Sequence, residues 1–125
     1  MIVTDHIAAI LLVTGVVTAS PLLQFLAPTL GLKVLFKLAP PEGAGGFFTR
    51  HWGVIVGGFG ALLVYAASHP ELRAPLMLVA VLEKAGLVGM IAADWKQPHT
   101  AGMRLTAAFD TTCVVVYGLY LLHLA

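Results

Sequence analysis

The sequence predicts an all-α fold: an integral membrane four-helix bundle, with a short interfacial amphipathic helix between the first and second spans. Three observations carry that expectation. Of the 125 residues, 59% are hydrophobic and 10% charged, with mean hydropathy +0.94, whereas a soluble domain holds about 25% charged residues. Apolar runs of about 20 residues, the length that crosses roughly 30 Å of hydrocarbon, recur along the chain. Lys and Arg gather in alternate connections, as they do on the cytoplasmic side of membrane proteins. The length suits one domain, residues 1–125. A net charge of only +1 provides neither a basic surface for nucleic acid nor an acidic tail.

The first span is expected over residues 6–27. No Lys or Arg precedes it, so it lacks the positive n-region of a signal peptide and reads as a retained helix. Pro21 has no N–H for the carbonyl of Val17 and should kink the span. Thr14, Thr18, Ser20 and Gln24 line the same stretch; they satisfy the freed carbonyl or line a cavity. In Leu30–Leu38, Lys33 and Lys37 sit among apolar residues, a pattern suited to an interfacial helix whose lysines snorkel to water. Pro40–Gly46 reads as a turn, without the Gly-Lys-Ser/Thr ending of a phosphate loop.

The second span is expected over 51–67, with Gly53, Gly57 and Ala61 on one face at four-residue spacing. The third, 75–93, repeats the pattern in Ala85, Gly89 and Ala93. Lipid gives helices no hydrophobic drive to associate, so such smooth strips favour close packing, inside one bundle or at a homodimer seam. The fourth span is expected over 105–124. It contains the lone cysteine, Cys113, which excludes an internal disulfide or cysteine-rich zinc site and reads as a small buried apolar residue. The short second and third connections make neighbouring helices antiparallel.

Lys33, Lys37, Arg50, Lys96 and Arg104 lie in the first and third connections, against Arg73 alone elsewhere outside the spans. The positive-inside rule then puts those connections in the cytoplasm and both termini outside it, in a bacterial inner membrane. Trp52 and Trp95 fall at the cytoplasmic interface, where amphipathic rings settle, and Tyr120 near the outer one.

A charge inside a span costs about 2.5–3.5 kcal/mol and needs a partner or a purpose. Glu83, Lys84 and Asp110 are such charges. Counting from the cytoplasmic ends of their spans at 1.5 Å per residue, Lys84 and Asp110 lie at depths of roughly 13 and 9 Å, close enough to pair. Two readings fit. One is an acid–base cluster, reached by Arg50, His51 and Trp52, that relays protons or holds the polar head of a lipophilic ligand. The other is a Lys84–Asp110 ion pair that fixes bundle register. His6, His69 and His123, with Asp5 and Glu71, are metal-ligand types at the outer side but lack tight metal spacing. No cofactor follows from the sequence, and soluble-enzyme motifs are absent.

Arg50-His51-Trp52-Gly53 opening span two, Glu83-Lys84 in span three, and four spans with a long amphipathic first connection together resemble small bacterial membrane proteins of the DoxX-like group. The resemblance implies a four-helix membrane bundle. In some members it implies quinone-coupled oxidation or an accessory role in a larger membrane complex. It carries over no catalytic residue. Small multidrug antiporters have a similar size but centre on a glutamate in the first span, where this chain has no carboxylate beyond Asp5. The function expected is binding of a hydrophobic small molecule or lipid, quinone included, or of a partner protein. The competing class is a proton-coupled transporter or membrane enzyme using the same carboxylates.

Overall fold

The structure, a computed structural model, describes all residues 1–125. It is all-helical. A single turn, α1 (Ile2–Asp5), leads into α2 (Ile7–Ala19), α3 (Leu22–Leu26) and α4 (Pro28–Phe36). Two long helices follow, α5 (Gly43–Ala66) and α6 (Pro70–Ala93), then a 3-10 turn over Pro98–Met103 and α7 (Arg104–Leu121). Three segments are long and apolar enough to cross a membrane: Ile7–Leu26, Gly43–Ala66 and Pro70–Ala93. The expected fourth span is present as a helix, α7, but it is not among those three.

Pro21 divides the first span as its missing N–H requires. The Val17 carbonyl that loses its helical donor accepts instead from Ser20, through N at 3.1 Å and Oγ at 2.6 Å. Thr18 Oγ1 likewise donates to the Thr14 carbonyl at 2.7 Å. The chain then doubles back into the amphipathic helix, which lies two residues earlier than expected. Pro28 opens it at a position where no N–H is needed, and Lys37 ends it in the left-handed conformation, φ 57°. Gly31, Leu32 and Phe36 face inward while Lys33 is exposed.

The helices α5 and α6 both begin earlier than the sequence suggests. Gly43–Gly46 belongs to α5 rather than to a turn, with Thr49 Oγ1 bonding the Gly45 carbonyl at 2.7 Å. Pro70 starts α6, leaving Pro75 inside it near enough to the N-terminus to break little of the ladder. Arg73 closes the α5–α6 turn by donating to the carbonyls of Ala66 and Ala67 at 3.0 and 2.6 Å, the last acceptors of α5.

The small-residue strips behave differently from one another. A Cβ at Gly53 would lie 2.6 Å from the Pro21 carbonyl oxygen, and one at Gly57 would run into Leu22. A further close crossing pairs Gly15 of α2, where a Cβ would lie 2.9 Å from Val64 N, with Gly60 of α5, where it would meet the backbone of Ala19. Ala61, expected on this seam, is exposed: the contact face lies one residue back, about 100° around the helix. Ala85 and Gly89 are also exposed, and nothing lies within 4 Å of a Cβ at Gly89. The stripe that α6 buries is Met77, Ala80, Lys84 and Ile91, at helical spacing, so Ala85 and Gly89 point away from it.

Residues 4 and 125 meet at one pole. Thr4 donates to the Ala125 carbonyl from N at 3.2 Å and from Oγ1 at 2.8 Å. The main core cluster, including Ile7, Leu11, Leu63, Met77 and Tyr117, fills that half. At the opposite pole, Phe36 of α4 closes on Gly102 so tightly that a Cβ there would collide with the Phe36 carbonyl.

Candidate functional site

The buried faces of α6 and α7 each present one charge. Lys84 belongs to the Met77–Ala80–Lys84–Ile91 stripe, and Asp110 to the stripe Ala107, Asp110, Cys113, Tyr117. Packing those faces together brings Lys84 Nζ to 2.9 Å from Asp110 Oδ1, with side chains 3% and 5% exposed. A pair so enclosed is a charge-assisted hydrogen bond rather than a screened surface contact. The Lys84 ammonium also lies over the Phe109 ring, 5.0 Å from its centroid, which adds an attraction of cation to ring face.

Glu83, one residue along, is turned about 100° from Lys84 and makes no such bond. Its Oε2 is buried without a hydrogen-bond partner. Glu83, Lys84 and Asp110 share the wall of one cleft, of about 410 Å³. The kinked stretch Thr18–Pro21, Phe36 of α4, Trp52 of α5 and Phe109 of α7 complete it. Trp52 and Phe36 meet at 5.8 Å between ring centroids, tilted by 55°. The Pro21 kink therefore has both roles the sequence allowed: its hydroxyls satisfy carbonyls, and the bent segment walls a cavity.

Four of the expected site residues thus come together: Glu83, Lys84, Asp110 and Trp52. Arg50 and His51 do not join them. They lie with Phe25, Phe47 and Val54 in a separate shallow hollow, and Arg50 is held there by the Phe25 carbonyl at 3.3 Å and by the Phe25 ring. On a helix, residues 50 and 51 point away from the face that carries Trp52 and Val56 to the cleft.

His6, His69 and His123 do not converge either. His6 Nδ1 bonds the Ile2 carbonyl and His69 Nδ1 the Tyr65 carbonyl, at 2.9 and 2.8 Å. His69 also stacks on Tyr65, and His123 is exposed. No three His, Cys, Asp or Glu side chains are gathered as metal ligands require.

Two side-chain hydrogen bonds were not revealed by spacing alone. Thr14 Oγ1 and Tyr117 OH meet at 2.5 Å across α2 and α7. Gln24, fully buried, donates from Nε2 to the Thr49 carbonyl at 3.0 Å. Each pairs residues far apart in sequence, so only a polar residue on an apolar face hinted at them. Comparison of the chain with protein-family models, curated proteins and solved structures finds no match.

Proposed function

We propose that this chain is a small four-span membrane protein that binds a hydrophobic small molecule or lipid in the cleft walled by Glu83, Lys84 and Asp110. The carrying observation is the cleft itself. It combines aromatic walls with a buried ion pair and an unpartnered carboxylate, the few-polar-groups-in-an-apolar-cavity pattern of ligand sites. A DoxX-like relationship would make an isoprenoid quinone or a membrane lipid the natural occupant. The meeting of residues 4 and 125 at one pole supports an even number of crossings, hence a crossing by α7 as well. Lys33, Lys37, Arg50, Lys96 and Arg104 belong to the opposite pole, which supports a cytoplasmic placement of that pole and an outer placement of both ends.

The test is binding of a neutral, environment-sensitive naphthylamine dye by the detergent-purified protein, alongside native mass spectrometry for a retained lipid or quinone. Leu87 lines the cleft, and Leu87→Trp should fill it and abolish both signals. Dye binding that is absent from the wild type, or unchanged in Leu87→Trp, would remove the ligand-site reading. A second reading, proton-coupled transport, draws on the unpartnered Glu83 oxygen. It requires proton-driven uptake into liposomes that disappears in Glu83→Gln.

A further inference from the structure

The cleft wall carries two carboxyl groups and one amine. Glu83, Lys84 and Asp110 are the only ionisable side chains that line it. Lys84 is engaged by Asp110, so Glu83 faces the cleft with a buried oxygen and no partner. Burying an unpaired carboxylate is costly, and a positive group relieves that cost. Of the basic residues at that end of the bundle, Arg50 is held against Phe25 and Arg104 over the Trp95 ring at 4.3 Å, and neither they nor Lys33, Lys37 and Lys96 line the cleft. The same cleft is also lined by the Trp52–Phe36 pair, and aromatic faces attract cations, Trp most strongly. The Phe109 face is already occupied by Lys84.

We propose that the cleft takes a lipophilic cation, a hydrophobic body bearing one permanent or protonated positive centre, placed between Glu83 and the Trp52–Phe36 pair. This rests on the cleft being a ligand site and specifies the charge of the ligand. At about 410 Å³ the cleft falls within the usual span of small-molecule sites, about 300–1,000 Å³. An anion of the same shape would place its charge against two carboxylates and a single engaged ammonium.

Tetraphenylphosphonium and tetraphenylborate, similar in shape and opposite in charge, test the proposal. Their binding to the full chain in detergent micelles is measured by equilibrium dialysis, with protein-free micelles subtracted. Saturable phosphonium binding at least ~10-fold tighter than borate binding is expected, a difference of about 1.4 kcal/mol. Glu83→Gln should erase that preference, and Trp52→Leu should weaken phosphonium binding while borate binding holds. Circular dichroism confirms that each variant is folded, and the Trp52 variant serves independently if Glu83→Gln is not. Equal binding of the two ions, or a phosphonium preference that survives in Glu83→Gln, overturns the cation assignment while binding of the neutral dye keeps the ligand site. Failure of dye and phosphonium alike overturns both.

Discussion

Removing Lys84 should damage the fold more than removing its partner, and removing both should damage it least. The pair is enclosed, with residues 84 and 110 only 2% and 4% exposed and Nζ–Oδ1 at 2.9 Å. Breaking a buried pair by truncating one member costs about 3–5 kcal/mol, because the other charge is left uncompensated. What remains differs between the two single variants. Asp110→Asn leaves the ammonium with the Phe109 ring and with Glu83 on the same wall, so its cost belongs at the low end, about 3 kcal/mol. Lys84→Met leaves two carboxylates and no base on that wall, so its cost belongs nearer ~5 kcal/mol. The double variant Lys84→Met/Asp110→Leu replaces the pair with apolar groups and should lie within ~1 kcal/mol of wild type, or above it. Reversible unfolding in bicelles, followed by tryptophan fluorescence, measures all four proteins as one cycle. Single variants that each cost less than ~1 kcal/mol and add in the double would refute the coupling, since independent sites add and coupled ones do not.

Other interfaces make separate demands. Gly60→Ala should destabilise by about 1–3 kcal/mol through overpacking against Ala19, whereas Gly89→Ala, with open space beyond it, should stabilise by about 0.5–1 kcal/mol; the same unfolding assay separates them by sign. Thr14→Val leaves the fully buried Tyr117 hydroxyl without its partner and should cost about 1–3 kcal/mol. Tyr117→Phe should cost less, because Thr14 keeps its 2.6 Å bond to the Ile10 carbonyl; equal losses would contradict that asymmetry. Cysteines placed at Lys96 and at Ile2 should react with impermeant maleimide from opposite sides of intact spheroplasts or inverted vesicles, over a low background from the buried Cys113. Labelling of both from one side would overturn the proposed placement of the poles.

Much of this architecture was legible as pattern. Long apolar runs marked each long helix, Pro21 marked the bend, and the charges within the spans marked one wall of the cleft. Local signals misjudged the helix starts: Gly43–Gly46 reads as a turn, but it is carried into α5 because the packed apolar face downstream outweighs weak glycine propensity. Facing was less legible. Gly53–Gly57–Ala61 and Ala85–Gly89 have equivalent spacing, yet the first two glycines meet α3, while Ala85 and Gly89 are exposed and Gly89 has open space beyond it. Spacing defines a strip along a helix, but the neighbour that covers it depends on how the other helices are placed. The same reason hid the separation of Arg50 and His51 from Trp52, three consecutive residues that address different surfaces, and the pairing of Thr14 with Tyr117.

The contact between residues 4 and 125 makes the chain nearly circular. A short linker from residue 125 to residue 1, with a cut in the Leu38–Glu42 segment, would give a permutant whose helices keep their neighbours. Its new ends would both sit at the basic pole, while every Lys and Arg kept its place in the bundle. Such a permutant separates two influences that the natural order combines, the charge of the loops and the order in which helices leave the ribosome. If basic residues set orientation, the permutant inserts with its ends in the cytoplasm and the cleft unchanged.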